Sequence, residues 1–265
     1  MAYLNLDLFN RECHEKYYLL GFVAADGCIY GNSLIITLHP RDIDLLYQFC
    51  DWLDLPRTIV KIKKDGYVEF RKYNQELVDC FSKYGILPRK TKTLEISQNI
   101  PSEFLRSFIL GYFDGDGSCY TNADKSKLYF QMVGTRSVNQ IIKDTFCSDL
   151  GYRFGSIQKA GDVTRLIING CKTSLDFGNW LYQDDLFCLQ RKKSIYVQFL
   201  LENSKKYQSG LNMIKAREIR VKYLSGQFTQ EQLAEEYNVC RQSVSDVLRG
   251  KSYKEIPQNM LTAHN

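Results

Sequence analysis

The sequence lacks the long apolar runs and the sorting signals that would take a protein into or across a membrane. It contains no continuous apolar stretch of about 18 residues, the length that marks a membrane-spanning helix. Residues 1–10 carry no basic segment followed by an apolar one, so they do not resemble a secretory signal peptide. We therefore expect a cytoplasmic location and no contact with a membrane. The host is left open between bacterial, phage and organellar.

The sequence also lacks paired cysteines. Its nine cysteines are scattered singly, and no two of them are separated by only two residues. This spacing argues against a zinc site, and the odd number argues against a disulfide framework. We expect reduced thiols buried in the core.

Positive charge is only slightly in excess. The 265 residues carry a net charge of +5, with 44% hydrophobic and 25% charged residues, which is ordinary for a globular protein of one or two domains. Most of the positive excess lies after residue 204. A mildly basic balance is compatible with nucleic-acid binding but does not establish it.

One nine-residue string occurs twice. It reads LLGFVAADG at residues 19–27 and ILGYFDGDG at residues 109–117, so the copies start 90 residues apart. Each copy has glycine at its third position and ends in Asp-Gly. Self-similarity at a fixed spacing indicates two similar halves, each of which contributes one acidic residue to a shared site.

The same order of elements follows each copy. Hydrophobic periodicity and turn residues predict helices and strands in the order αββαββα in both halves. The predicted fold class is therefore α+β. The first half has a helix at 12–25, strands at 28–30 and 34–38, a helix at 41–53, strands at 58–63 and 67–71, and a helix at 74–84. The second half has a helix at 102–115, strands at 118–121 and 127–133, a helix at 137–150, strands at 153–158 and 163–168, and helices at 172–182 and 192–201.

The alternation along the hairpin strands predicts one apolar and one polar face for each sheet. Val60 and Ile62 are expected on the apolar face, opposite Lys61 and Lys63, and Arg71 is expected on the polar face. In the second half, Gln158 and Arg165 are the matching candidates. Two such sheets would form a saddle, and a two-stranded ribbon fits the major groove of DNA, where base edges are distinguishable.

The duplicated string predicts two closely packed helices. Gly21 and Gly111 each cost about 1 kcal/mol relative to alanine inside a helix. Each is followed four positions later by another small residue, Ala25 or Gly115, and this spacing allows two helix backbones to approach closely. Asp26 and Asp116 would then lie at adjacent helix C-termini, where the helix dipole and the second carboxylate both disfavour a negative charge. A bound cation relieves this, and oxygen ligands suit Mg²⁺, with Mn²⁺ or Ca²⁺ able to take its place.

The duplicated string resembles the motif of LAGLIDADG homing endonucleases, and the resemblance covers roughly residues 10–200. It implies that Asp26 and Asp116 are catalytic metal ligands. It nominates Lys90 and Lys192 as lysines near the scissile phosphate, and His39 as a residue that orders solvent. The sequence departs from the family at two kinds of position. The earlier acidic residue of the motif is Ala24 in the first copy and Asp114 in the second. The position that matches His39 in the second half is expected to be Gly134, so the two active sites are expected to be unequal.

The chain continues into a segment of different composition. Residues 204–212 are predicted to be a linker, and short helices are predicted at 214–224, 230–237 and 241–248. These helices resemble a helix-turn-helix, the variety appended to endonucleases of phages and mobile elements. The third helix would offer Arg241, Gln242, Ser243, Ser245 and Arg249 to the major groove. The alternative is a small helical packing domain.

We therefore predict four regions: a first half at 1–90, a second half at 91–203, the linker, and a helix-turn-helix domain at 213–265. The resemblance implies a monomer with an internal pseudo-twofold axis that binds double-stranded DNA. It further implies Mg²⁺-dependent cutting of both strands of a long pseudo-palindromic target, with short 3′ overhangs, and residence in an intron or other mobile element. Two alternatives on the same scaffold stay open: a DNA-binding regulator that does not cleave, and an intron maturase that binds RNA.

Overall fold

Two similar αββαββα units and a helical tail make up the chain. The computed structural model describes residues 4–151, 156–183, 186–207, 211 and 213–253. The helices of the first unit are α1 (His14–Asp26), α2 (Ile43–Trp52) and α3 (Gln75–Ser82), and its strands are β1 (Gly27–Tyr30), β2 (Ser33–Leu38), β3 (Lys61–Ile62) and β4 (Val68–Tyr73). The second unit has helices α4 (Ser102–Asp116), α5 (Arg136–Leu150), α6 (Cys171–Leu181) and α7 (Gln190–Tyr207), with strands β5 (Gly117–Thr121), β6 (Leu128–Gly134), β7 (Ser156–Ala160) and β8 (Val163–Ile168). The tail has helices α8 (Met213–Leu224), α9 (Gln230–Glu236) and α10 (Arg241–Leu248).

The two sheets have the same antiparallel topology. The strand order is β1-β2-β4-β3 in the first sheet and β5-β6-β8-β7 in the second. In each sheet, one face is buried against helices and joins a common hydrophobic core, while alternate residues lie on an open face. The predicted α+β architecture of two matching halves is confirmed.

Local sequence explains where several elements begin and turn. The β1–β2 hairpin turns at Gly31, whose φ of 53° is the left-handed conformation that glycine tolerates best. Asn74 and Thr135 cap the N-termini of α3 and α5, each accepting a hydrogen bond from a backbone N–H of the first helical turn.

Two predicted boundaries are wrong. The predicted strand at 58–63 is a one-turn 3-10 helix (Arg57–Ile59) followed by the two-residue strand β3. Ile62 lies on the expected face, because it pairs with the buried Val68, but it is 78% exposed because β3 is the edge strand of the sheet. The helix α7 continues to Tyr207, so the first four residues of the predicted linker are helical.

The strand predicted at 153–158 is β7, which begins at Ser156 within the described part of the chain; residues 153–155 lie outside it. The predicted turn at Gly161 is confirmed, with a φ of 64°.

The cysteines are free thiols wherever their side chains are described, as the scattered spacing predicted. Their burial is less uniform than expected: Cys50, Cys119, Cys147 and Cys188 are buried, whereas Cys28 and others are accessible. In the described ranges, none of the helices combines the length and apolar character that a membrane crossing requires.

Candidate functional site

The site is built on the contact between α1 and α4. Gly21 and Gly111 lie at the crossing, where a Cβ atom added to Gly21 would lie 1.9 Å from the carbonyl oxygen of Phe108, and one added to Gly111 would lie 2.0 Å from that of Tyr18. Only glycine permits such a backbone approach. The close helix pair inferred from the duplicated string is therefore present, and it sets the last residues of both helices side by side.

Asp26 and Asp116 are those last residues, and both side chains are open to solvent. The pKa of Asp116 is raised to about 6, mainly because the surrounding protein weakens the hydration of its carboxylate, and also because Asp26 carries the same charge. The pKa of Asp26 is also raised by desolvation, with a contribution from Asp42, while Lys90 and Lys192 oppose the shift in both aspartates. The site therefore holds two poorly hydrated carboxylates with two lysines as nearby counter-charges.

Lys90 and Lys192 reach this site from equivalent positions in the two halves. Lys90 Nζ donates to the carbonyl oxygens of Ala25 (3.3 Å) and Gly27 (2.5 Å), at the end of α1. Lys192 Nζ donates to three carbonyl oxygens at the end of α4, those of Phe113 (2.8 Å), Asp114 (2.7 Å) and Gly115 (3.2 Å). Each ammonium thus binds the negative end of a helix dipole.

Burial lowers the pKa of both lysines, and lowers that of Lys192 to about 8, against the opposing attraction of nearby carboxylates. The structure therefore brings both nominated lysines beside the aspartates. It also shows what the sequence did not, that their ammonium groups cap the two helices that carry Asp26 and Asp116.

The second motif's earlier acidic residue is a buried structural link. Oδ2 of Asp114 accepts hydrogen bonds from the Tyr18 hydroxyl and the Leu189 backbone N–H, both at 2.6 Å. Burial raises the pKa of Asp114 to about 6. The residues that correspond to Tyr18 and Asp114 in the opposite halves are Phe108 and Ala24, which are both apolar. Asp114 therefore joins α1, α4 and the segment before α7, and it does so on one side of the pseudo-twofold axis only.

A second one-sided link is an ion pair between the halves. Arg191 donates from Nε and Nη2 to the two carboxylate oxygens of Asp42, both at 3.1 Å, and the Asp42 side chain is only 10% exposed. The equivalent residues are Arg89 and Val138, which cannot form such a pair. The residue before the capping Lys192 is thus anchored to the first half.

His39 lies just beyond β2, with an exposed side chain that caps a one-turn 3-10 helix. Its Nδ1 accepts a hydrogen bond of 3.2 Å from the backbone N–H of Arg41. The assignment of Gly134 as its match is wrong, because Gly27 pairs with Ile36 and Gly117 with Met132, a register that makes Thr135 the equivalent residue.

Thr135 is occupied by structural contacts, donating to the carbonyl oxygen of Leu94 at 2.7 Å and capping α5. Gly134 instead makes room for the side chain of Tyr112, since a Cβ atom there would lie 2.3 Å from the tyrosine hydroxyl. The halves therefore differ at this position, as expected, although through another residue.

The open face of the first sheet carries the three basic residues nominated there. Lys61 pairs in register with Glu69, and Arg71 lies two residues further along β4. Arg71 Nε donates to Glu69 Oε1 at 3.0 Å, and Lys63 Nζ lies 3.9 Å from Glu69 Oε2. In the second sheet, Gln158 and Arg165 are both exposed and pair with each other across the strands.

Tyrosines on the same open faces were missed by the sequence reasoning. Tyr30 is 77% and Tyr73 72% exposed, and Ser33 lies between them in register. The equivalent of Tyr30 is Tyr120, which stacks on Tyr129 with ring centroids 5.2 Å apart. The alternation that predicted the basic face also places these tyrosines on it, so the signal was available.

The tail forms a small three-helix domain with a core of its own. In α10, Arg241 and Gln242 are exposed, and Arg249 follows the helix with an exposed side chain, as a recognition surface requires. Ser243 is half-buried. The nomination of Ser245 is wrong: its side chain is only 7% exposed, because it lies on the side of α10 that packs into the tail core.

The tail is attached to the second half. Arg217 of α8 donates to the carbonyl oxygens of Ser148 (3.0 Å) and Asp149 at the C-terminal end of α5. Lys172 Nζ donates to the Tyr253 hydroxyl at 3.1 Å. These contacts hold the tail beside α5 and α6.

The comparisons with known proteins identify a fold. No protein-family model matches the sequence, and no curated protein sequence matches it. Among solved structures, LAGLIDADG meganuclease I-AabMI bound to uncleaved DNA has a TM-score of 0.51 at 12% identity, covering 88% of this chain and 98% of that chain. The I-LtrWI LAGLIDADG homing endonuclease bound to target DNA scores 0.48 at 13% identity (96% and 99% covered). Full-length DUF199/WhiA from Thermatoga maritima scores 0.46 at 14% identity (91% and 92% covered). At these identities the likeness concerns the fold alone, and the chain has the two-sheet α+β fold of LAGLIDADG proteins.

Proposed function

We propose that this protein is a site-specific DNA endonuclease that cuts both strands with the help of a divalent cation. The observation that carries the proposal is the pair Asp26 and Asp116, adjacent at the ends of two tightly packed helices, between two open sheet faces. One carboxylate per pseudo-symmetric half matches two scissile phosphates, one per strand of a duplex.

The donor set fits a hard cation. Within the described residues, no group of three or more His, Cys, Asp and Glu side chains could hold a metal ion. The proposed site offers two carboxylates, those of Asp26 and Asp116. Mg²⁺ uses few protein carboxylates and keeps positions for water and phosphate oxygens. The pKa values of Asp26 and Asp116 are raised mainly because the protein weakens the hydration of their carboxylates, and a bound cation would compensate for that loss. When bound, a divalent ion supplies activation of the attacking water and stabilisation of the leaving oxygen.

The protein's own residues would position these carboxylates and the substrate. Gly21 and Gly111 fix the helix separation, and Lys90 and Lys192 hold the helix ends that present the aspartates. The basic and polar side chains of the two open faces would bind the major groove on either side, and the exposed face of α10 would extend the contact. The target is then long and pseudo-palindromic, bound by a monomer.

A regulator that binds DNA without cleavage, or an RNA-binding maturase, would use the same sheets and tail. Neither function requires two carboxylates whose charges repel at the helix ends, because uncharged residues there would relieve the repulsion. The retained aspartate pair therefore favours the endonuclease.

Cleavage of a randomised duplex library tests the proposal. The wild type should produce double-strand breaks with Mg²⁺ and none with EDTA, and the Asp26→Asn/Asp116→Asn variant should produce none under either condition. Asp44→Asn removes an exposed carboxylate on α2 and should cleave normally. Each single variant should leave one strand cut far more slowly, so that nicked DNA accumulates.

Sequence-specific binding of DNA by the wild type without any cleavage would refute the endonuclease and favour the regulator. Tight binding to structured RNA in preference to duplex DNA would favour the maturase.

A further inference from the structure

We propose that Arg71, held in place by Glu69, reads one guanine in the half of the target that the first sheet contacts. The inference rests on the proposed binding of DNA by the sheets and adds a specificity-determining residue. It also predicts that the pseudo-palindrome of the target is broken at this position.

The starting observation is an acidic residue where a DNA-binding face should have none. Glu69 lies on the open face of the first sheet among Lys61, Lys63 and Arg71, and its side chain is 17% exposed. A carboxylate facing phosphates would weaken binding through repulsion. Its presence is explained if it acts on a neighbouring side chain.

That neighbour is Arg71. Its Nε donates to Glu69 Oε1 at 3.0 Å and its Nη2 to Oε2 at 3.5 Å, a fork-to-fork arrangement that fixes the guanidinium plane. The Arg71 side chain remains 55% exposed. Two of its five N–H donors face the carboxylate, which leaves three N–H donors, on Nη1 and Nη2, for another partner.

Such an arginine suits guanine. A guanidinium can donate two hydrogen bonds to O6 and N7 of guanine in the major groove, and no other base presents two acceptors there. Cys28 and Ile35, which share its row across the strands, offer no comparable donors. Glu69 lowers the cost of ordering the arginine, because the side chain is already held in one orientation.

The row also sets the position of the guanine. Cys28 is two residues beyond Asp26, so the row lies about 7 Å along the strand from that aspartate. This distance corresponds to about two base-pair steps. The guanine is therefore expected in the inner part of the half-site, close to the cleavage positions.

The second sheet lacks the same pair. Ile36 pairs with Phe70 and Met132 with Leu166, so Glu69 corresponds to Arg165 and Arg71 to Ile167. An isoleucine cannot donate hydrogen bonds to guanine. The mirrored base pair of the target should therefore show no guanine requirement.

The test is selection of randomised duplexes by the full-length Asp26→Asn/Asp116→Asn chain, which should bind without cutting, with and without further changes. The parent should enrich a guanine at one inner position of one half-site. Arg71→Gln should reduce that preference on the order of 10-fold to 100-fold. Arg71→Lys keeps the charge but not the bidentate geometry, and should lose most of the preference while retaining affinity.

Glu69→Gln tests whether Glu69 positions Arg71. The guanine preference should fall, while overall affinity should hold or rise because a negative charge is removed. A residue with a purely structural role would not separate these two quantities. Arg165→Gln is the matched control, because it changes the other sheet and should leave this position unchanged.

An unaltered base preference in Arg71→Gln, with affinity reduced equally for all sequences, would show a phosphate contact and overturn the inference. Enrichment of a guanine at both mirrored positions would overturn it as well. If the parent chain enriches no sequence at all, the proposed DNA-binding function itself fails, and this inference fails with it.

Discussion

Replacing Gly111 by alanine should destabilise the protein, although alanine is the better helix former. The added Cβ atom would lie 2.0 Å from the carbonyl oxygen of Tyr18 and 2.9 Å from the backbone nitrogen of Phe22. A carbon and a carbonyl oxygen approach to about 3.3 Å at closest. The helices α1 and α4 would therefore have to separate by more than about 1 Å along their contact.

The magnitude follows from two opposing contributions. Helix propensity favours alanine by about 1 kcal/mol. Overpacking typically costs about 1–3 kcal/mol, and this clash lies at or above the upper end because both partners are backbone atoms that no rotamer change can move. The net loss is about 2 kcal/mol or more, which corresponds to a fall of roughly 4–8 °C in Tm for a chain of this size.

Thermal and urea unfolding of Gly111→Ala and Gly21→Ala would measure this loss. Glu103→Ala, at an exposed position of the same helix α4, is the matched control and should change Tm little. The cleavage rate should fall by more than the loss of folded protein explains, because separation of the helices moves Asp26 and Asp116 apart. A Gly111→Ala variant as stable as the wild type, or more stable by the propensity difference, would refute the close backbone contact.

Three further predictions address other contacts. His14, the first residue of α1, has its ring nitrogens 2.9 Å from the Ser107 hydroxyl and 3.2 Å from the Phe187 carbonyl oxygen, and burial lowers its pKa. The stability that its neutral form contributes is complete above the unfolded pKa of about 6.5 and is lost as pH falls, so the Tm difference between wild type and His14→Gln should shrink from pH 7.5 to pH 5. Arg191→Ala removes both hydrogen bonds to the nearly buried Asp42 and leaves it only the longer ion pair with Arg41 Nε at 3.9 Å, which should cost about 1–2 kcal/mol in urea unfolding. A double-mutant cycle with Asp42→Asn that shows no coupling would contradict the ion pair. Addition of Ca²⁺ should raise the Tm of the wild type but not of Asp26→Asn/Asp116→Asn, and an equal rise in both would place the cation elsewhere.

The arrangement of the site could be predicted because its parts repeat. Glycine at the third position of each string predicted the helix contact, and the terminal Asp-Gly predicted where the carboxylates lie. Both features depend on residues within about one and a half turns of the same helix, whose relative positions helical geometry alone fixes. The strand alternation identified Arg71 and Arg165 on the open faces for the same reason, since the period of a strand is two.

Contacts between distant residues could not be predicted in the same way. The equivalence of His39 with Thr135 depends on strand register, and the burial of Ser245 depends on how α10 packs in the tail. The exposure of Ile62 depends on which strand lies at the sheet edge. Local periodicity does not contain this information.

By itself, the sequence determined the order of the elements, the duplication and the two acidic residues that end the motif helices. Only the tertiary structure decided what surrounds those acids: lysines capping the helices that carry them, and the one-sided links of Asp114 to Tyr18 and of Arg191 to Asp42. The physical reason is range. Helices, turns and alternation follow from neighbours a few residues apart, whereas the charge and burial of a site follow from segments that the chain brings together over about a hundred residues.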